Sequence, residues 1–273
     1  MLGPAASIRS MNLLLLHPAA FPVLTFLALL LLLEVGWRLG RREHRRSGNT
    51  HVKGIGALEG AVFALLGLLL AFTFSNAADR LDVRRALAVE EANSVGVAYL
   101  RLSVLKPDDR AALRKLFRDY GESRLLYYAD FKDDPGREAS FRRSQDLQQQ
   151  IWAAAVTAAQ AAGGGAQQGQ VLEPINKMFD TATTRVAASR THPAPEVYVM
   201  VTALVIASTL IAGFAMTAGD IRPTLHAVIY AAAITATLHT IVYMEHPRLA
   251  GIASMSEFDR YLAEVVAGMK PGS

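Results

Sequence analysis

From Ile55 to Ser75 the chain runs 21 residues with one charged side chain, Glu59, and then passes without a proline into NAADRLDVRR. As an α-helix this run is about 32 Å long, which matches a hydrocarbon core of roughly 30 Å. In lipid each backbone N–H and C=O has to be satisfied within the protein, so a continuous helix is the expected form. The stretch therefore predicts a membrane span whose helix continues beyond the bilayer into charged sequence. Three further runs, Phe21–Trp37, Val197–Ala218 and Thr224–Met244, have the length and composition to cross. With 52 % hydrophobic and 19 % charged residues over 273 positions, the chain is too apolar for an ordinary soluble domain. The expectation is an all-α integral membrane protein, with four transmembrane helices in two pairs and a helical extramembrane domain between the pairs.

The domain reading follows from where the apolar runs stop. Residues 1–20 form a lead-in, and residues 21–75 hold the first two spans with a basic loop at 38–54. Residues 76–196 form the helical middle domain, residues 197–244 a transmembrane hairpin, and residues 245–273 a tail with a short amphipathic helix over Ser256–Val266. The lead-in has only Arg9 as a basic residue before Met11, and the first apolar run ends in Glu34, Trp37 and arginines rather than at a small-residue cleavage site, so a retained span is expected. The loop Arg38–Lys53 carries six Lys or Arg, which by the positive-inside rule places it in the cytoplasm. Arg80, Arg84 and Arg85 follow the second span and weigh in the other direction. The balance favours a multi-pass protein of the cell inner membrane with the middle domain on the outer, periplasmic side.

Helical periodicity organises the middle domain. Ala88, Ala92, Val95, Tyr99 and Leu102 recur at four-three-four-three spacing and predict a buried stripe on the continuation of the second span. Pro107 opens the next helix, whose stripe Leu113, Phe117, Tyr120, Arg124, Tyr127 and Phe131 is interrupted only by the arginine. An interior Arg124 needs an acceptor, for which Glu91 and Glu122 are the nearby candidates. Asp133-Asp134-Pro135-Gly136 reads as a turn, and helices are expected over about Glu138–Ala162 and through Val171, Ile175, Met178, Ala182 and Val186.

Glu59 is the residue with most bearing on function. A carboxylate one turn inside a span is costly unless protonated, paired or facing water, so it reads either as a pore-lining group or as a structural residue bonded to a neighbouring helix. Phe63, Leu66, Leu70 and Phe74 follow it at helical spacing and offer either an apolar constriction or ordinary helix packing. Gly56, Gly60 and Gly67 permit close backbone approach, with Gly56 and Gly60 a small-xxx-small pair. The net charge of +4 is dispersed and gives no footprint for nucleic acid. There is no cysteine, which removes thiolate chemistry and Cys-based metal sites. His226 and His239 lie about 20 Å apart along one helix and cannot share an ion. No cofactor motif or catalytic set converges, so neither a metal, a cofactor nor an enzyme activity is expected.

The segments GLLLAFTF at 67–74, Arg80 with Asp82, EANSVGVAYLR at 91–101, Tyr120 with Arg124, and the closing Glu245, Pro247 and Gly251 together resemble the bestrophin-like domain family of bacterial membrane proteins. The resemblance covers about residues 20–255 and adds Glu91, Asn93 and Pro247 to the residues of structural or interface interest, with Tyr99, Tyr120, Arg124 and Glu245. It implies two pairs of spans around a helical domain and, by analogy with the pentameric bestrophin anion channels, a homo-oligomer passing inorganic ions with the second span lining the pore. The acidic cluster that those channels use for calcium is not recognisable, so calcium gating does not carry over. The competing reading is a non-transporting scaffold or sensor whose middle domain binds a partner.

The topology has a direct test. The chain lacks cysteine, so single cysteines at Ser7 and Ser273 should both react with an impermeant thiol reagent from the outer face, while one at Ser47 is protected. Labelling of the first two from opposite faces would rule out an even number of spans.

Overall fold

A computed structural model describes residues 20–47, 55–129, 134–163, 165–218, 224–247 and 253–269. The lead-in before Ala20, residues 48–54 of the basic loop, Phe131 of the expected stripe, Asp133 of the expected turn, the connection at 219–223, and Gly251 lie outside the described residues. Among the described residues the chain is helical, with no strand: α1 (Ala20–Ser47), α2 (Ile55–Arg101), α3 (Pro107–Ala129), α4 (Asp134–Ala161), α5 (Ala166–Arg190), α6 (Pro195–Ala215), α7 (Thr224–Glu245) and α8 (Ala253–Gly268). Four helices are long and apolar enough to cross a membrane. An all-α membrane protein is what the structure shows.

The second span does run on. α2 is 47 residues without a break, about 70 Å at 1.5 Å per residue. Its extramembrane part is rich in Ala, Leu, Arg and Glu, all strong helix formers, and contains no proline. It ends in a 3-10 turn at Leu102–Val104 followed by extended Leu105. Pro107 then opens α3 with Asp108 and Asp109 in the first turn, where the helix dipole favours negative charge. One boundary differs from the sequence reading: α4 takes in Asp134, Pro135 and Gly136 instead of starting near Glu138. Proline's fixed φ suits a first helical turn as well as it suits a loop, so the same residues serve as a helix start.

The chain divides into two compact units, Met1–Arg80 with His192–Gly251, and Leu81–Thr191 with Ile252–Ser273. In the first, Leu29 and Leu33 of α1, Leu66, Leu70 and Ala77 of α2, Val201, Val205 and Ala212 of α6, and Ala231 and Ile241 of α7 form one apolar core. Lipid tails are as apolar as these side chains, so close packing rather than water exclusion holds such helices together. The glycines of α1 and α6 show how close: a Cβ at Gly36 would overlap the Leu210 carbonyl, and one at Gly213 the Leu33 carbonyl. Buried Ser208 and Thr209 turn their hydroxyls onto the Val205 carbonyl at 3.1 and 2.6 Å, which satisfies both within their own helix.

In the second unit the expected stripe is buried: Ala88, Ala92, Val95 and Leu102 are at most 1 % exposed. Ala92, Val95 and Leu102 pack with Leu113, Phe117 and Tyr120 of α3, Ile151 of α4, and Val171, Ile175 and Met178 of α5. Tyr99 is partly buried, with its ring 6.2 Å from that of Phe117. The tail helix is longer than its sequence pattern suggested and belongs to this unit, burying Leu262, Val266 and Met269 in the same core. Gly121 makes room for it, since a Cβ there would overlap Val266.

These glycines make opposite predictions. Gly36→Ala should lower stability by about 1–3 kcal/mol through forced separation of α1 from α6. Gly169→Ala, where a Cβ meets nothing within 4 Å on helix α5, should raise it by roughly 0.4–1 kcal/mol by restricting the unfolded chain. Thermal unfolding in detergent reads both, and equal shifts would show that the α1–α6 contact is looser than described.

Candidate functional site

The membrane part of α2 is the first place to look for a conduction surface. Leu66 and Leu70 point into the apolar core of their unit, 3 % and 7 % exposed. Phe63 packs on that core with its ring edge-on to Tyr230 at 6.5 Å, and Glu59, on the same side by helical phase, is half-buried. Phe74 is 40 % exposed. Most of the face the sequence singled out is therefore occupied by helix packing within the chain. The opposite side of α2 carries the exposed large side chains Leu58, Leu65, Leu68 and Phe72. Gly56, Gly60 and Gly67 have open space where a Cβ would stand, so among the described residues they serve no close approach. The sequence did not separate these faces because both are apolar, and hydropathy carries no phase when both sides of a helix are apolar.

The second unit is built around a buried ion cluster. Glu91 of α2 is fully buried. One of its carboxylate oxygens accepts from Arg124 Nε of α3 at 2.6 Å, and the other from Arg185 Nη1 of α5 at 2.7 Å. Arg185 also pairs with Asp259 of α8, and Arg124 donates to the Tyr128 hydroxyl at 2.7 Å. The Tyr128 ring lies under the Arg185 guanidinium, 3.7 Å from its centroid. Two carboxylates balance two guanidinium groups, which is the condition under which buried charge is tolerable. Burial alone would raise the pKa of Glu91, but Arg124 and Arg185 reverse that and hold it below the usual carboxylate range. Burial pushes the Tyr120 phenol up to about 12, with Glu91 adding to the shift and Arg124 opposing it. Glu91 therefore stays ionised and Tyr120 protonated through neutral pH, so this pair of groups suits a clamp rather than a proton relay.

Of the two acceptors considered for Arg124, the structure uses Glu91, and Glu122 is exposed. Arg185 and Asp259 were not anticipated. Arg185 did carry a signal, because it continues the α5 stripe Val171, Ile175, Met178 and Ala182 at three-residue spacing, as Arg124 interrupts the stripe of α3. Asn93 is exposed on α2.

A second ion cluster lies within the first unit. Buried Glu245, at the end of α7, accepts from Arg80 Nε at 2.8 Å and has His192 Nδ1 at 3.6 Å. The His192 and His246 rings are 4.8 Å apart between centroids, and Pro247 is buried beside them in sequence. Among the described residues no three His, Cys, Asp or Glu side chains converge to hold a metal ion.

Replacing Glu91 tests the clamp. Glu91→Gln leaves two buried guanidinium groups without their carboxylate and should cost about 3–5 kcal/mol. In the parent protein the Glu91 contribution is complete above the ordinary value of 4.5 and is lost as pH falls through its lowered folded value. Melting curves between neutral and acid pH should show a steep acid limb in the parent and a shallower one in the variant; parallel limbs would remove Glu91 from the account.

The comparisons with known proteins bear on this arrangement as a whole. No curated protein and no solved structure matches the chain. The sequence model of the bestrophin-like domain matches residues 21–253, which takes in the four spans, the Arg80–Glu245 cluster and Glu91, Arg124 and Arg185 of the other, but stops short of Asp259. The chain belongs to the bestrophin-like domain family.

Proposed function

We propose that the protein is an ion channel of the inner membrane, assembled from several copies with α2 bordering the conduit and the helical unit on the outer side. Four spans are too few to wall an aqueous path alone, so conduction requires copies around a common axis. The observation that carries the reading is the uncovered side of α2, where Leu58, Leu65, Leu68 and Phe72 stand exposed along the membrane segment. Apolar rings of this kind gate a narrow path by excluding water. Family membership supports ion permeation by analogy with bestrophins, and the arginines that end α1 would concentrate anions at the cytoplasmic mouth. Glu59, half-buried on the packed side of the helix, is better suited to a structural role than to a selectivity ring.

Purified protein in planar bilayers under a salt gradient provides the test. Wild type should conduct with anion preference, Phe72→Ala should raise unit conductance severalfold by easing wetting, and Leu66→Ala should leave unit conductance unchanged while lowering thermal stability. Silence from wild type and Phe72→Ala, in folded oligomeric protein, would overturn conduction.

A further inference from the structure

Beyond the membrane, α2 carries a second line of side chains that its own chain does not cover. Val83, Glu90, Asn93, Val97 and Leu100 follow one another at spacings of seven, three, four and three, which puts them on one side of the helix, and Val104 stands in the 3-10 turn that ends it. All are exposed; Val83 is 53 %, Val97 48 %, Leu100 71 % and Val104 41 % accessible. This side is opposite the one that buries Ala88, Ala92, Val95 and Leu102. Seven charged residues between Asp79 and Glu91 place this part of the helix in water, so lipid is not what covers the line. Other exposed apolar residues of the unit, such as Leu126 and Trp152, stand alone on their helices. Scattered residues need no explanation, but Val97, Leu100 and Val104 stand together within about 10 Å, at the end of a line that Asn93, Glu90 and Val83 continue, and such a cluster does.

We infer that this line is a self-association seam, packed against the same line of further copies of the chain. Three features fit a second copy. All copies share one membrane topology, so their α2 helices leave the bilayer side by side in the same direction, as a parallel bundle requires. The pattern resembles that of such a bundle: Val83, Glu90 and Val97 occupy one heptad position and Asn93 and Leu100 the other, with Asn93 a polar residue of the kind that fixes register. The line is also electrically self-compatible. Its one ionisable member, Glu90, is paired with Lys177 of the same unit at 2.6 Å, so copies meet without a ring of unbalanced charge. The seam concerns assembly and not permeation, and extends the oligomer that the channel reading requires by naming the surface that makes it.

The absence of native cysteine makes the test clean. Single cysteines at Asn93, Val97, Leu100 and Val104 in membranes are oxidised with copper phenanthroline and compared with cysteines at the equally accessible Leu126 and Trp152. Disulfide-linked dimers should form at the seam positions at several times the level at the two controls. In detergent, Leu100→Glu should lower the assembly mass by light scattering while helix content and the melting of the single chain stay unchanged, because Leu100 touches little in its own chain. Absence of crosslinks at all four positions, or equal crosslinking at the controls, overturns the seam, as does an unchanged mass for Leu100→Glu. A crosslinked assembly that is silent in planar bilayers keeps the seam and removes the channel; a conducting protein with no seam crosslinks does the reverse.

Discussion

A carboxylate with no access to water has to be answered by positive charge at bonding distance, and in this chain that requirement falls on Glu91. Its two oxygens are taken by guanidinium groups from different helices, Arg124 of α3 and Arg185 of α5, and Arg185 brings in Asp259 of α8. One residue on α2 thus fixes the axial position and rotation of three other helices. The apolar core around it would tolerate a shift of one side chain for another of like volume, whereas a charge pair at 2.6 Å tolerates none. Hydrophobic burial supplies the drive to fold this unit, and the ion cluster selects one arrangement among the several that a set of alanine-rich helices allows.

The same logic explains what could be read from the sequence. The spans, the unbroken length of α2 and the buried stripe through Ala88, Ala92, Val95 and Leu102 were legible because length, hydropathy and period are local properties. Arg124 could be recognised as an interior arginine because it broke an apolar stripe. Its partner lay 33 residues away, and the second arginine 94 residues from Glu91; separations of that size carry no period and are fixed only by the fold. In the membrane segment the obstacle was different. Glu59, Phe63, Leu66 and Leu70 form a plausible face, but Leu58, Leu65, Leu68 and Phe72 form another, and sequence alone gives no reason to prefer either. Packing decided it, through Gly36 and Gly213, which bring α1 and α6 into backbone contact and set the apolar core that Leu66 and Leu70 complete.

The segments that carry the family resemblance acquire a physical meaning in pairs. Arg80, just past the second span, binds Glu245 at the end of the fourth; Glu91, at the head of EANSVGVAYLR, binds Arg124 on the next helix. Each pair joins two stretches that look unrelated along the chain. Calcium, metal or acid–base chemistry is not needed to account for these residues, because buried charge that is fully answered already requires both partners to be present.

The clamp also bears on the exposed line of α2. A long apolar helix in a membrane is free to turn about its axis at small cost when both of its sides are equally greasy. α2 is not free in this sense, because rotation at Glu91 would pull its carboxylate from two arginines at once. Within the extramembrane part the helix is continuous and straight periodicity holds, so fixing the phase at Glu91 fixes it at Val83 and at Leu100. The residues held outward are then the same in each copy, and outward apolar groups at heptad spacing become a matched surface rather than a diffuse one. A buried ion pair that adds little net stability thereby contributes something that burial alone cannot, a defined azimuth for the surface on the other side of the same helix.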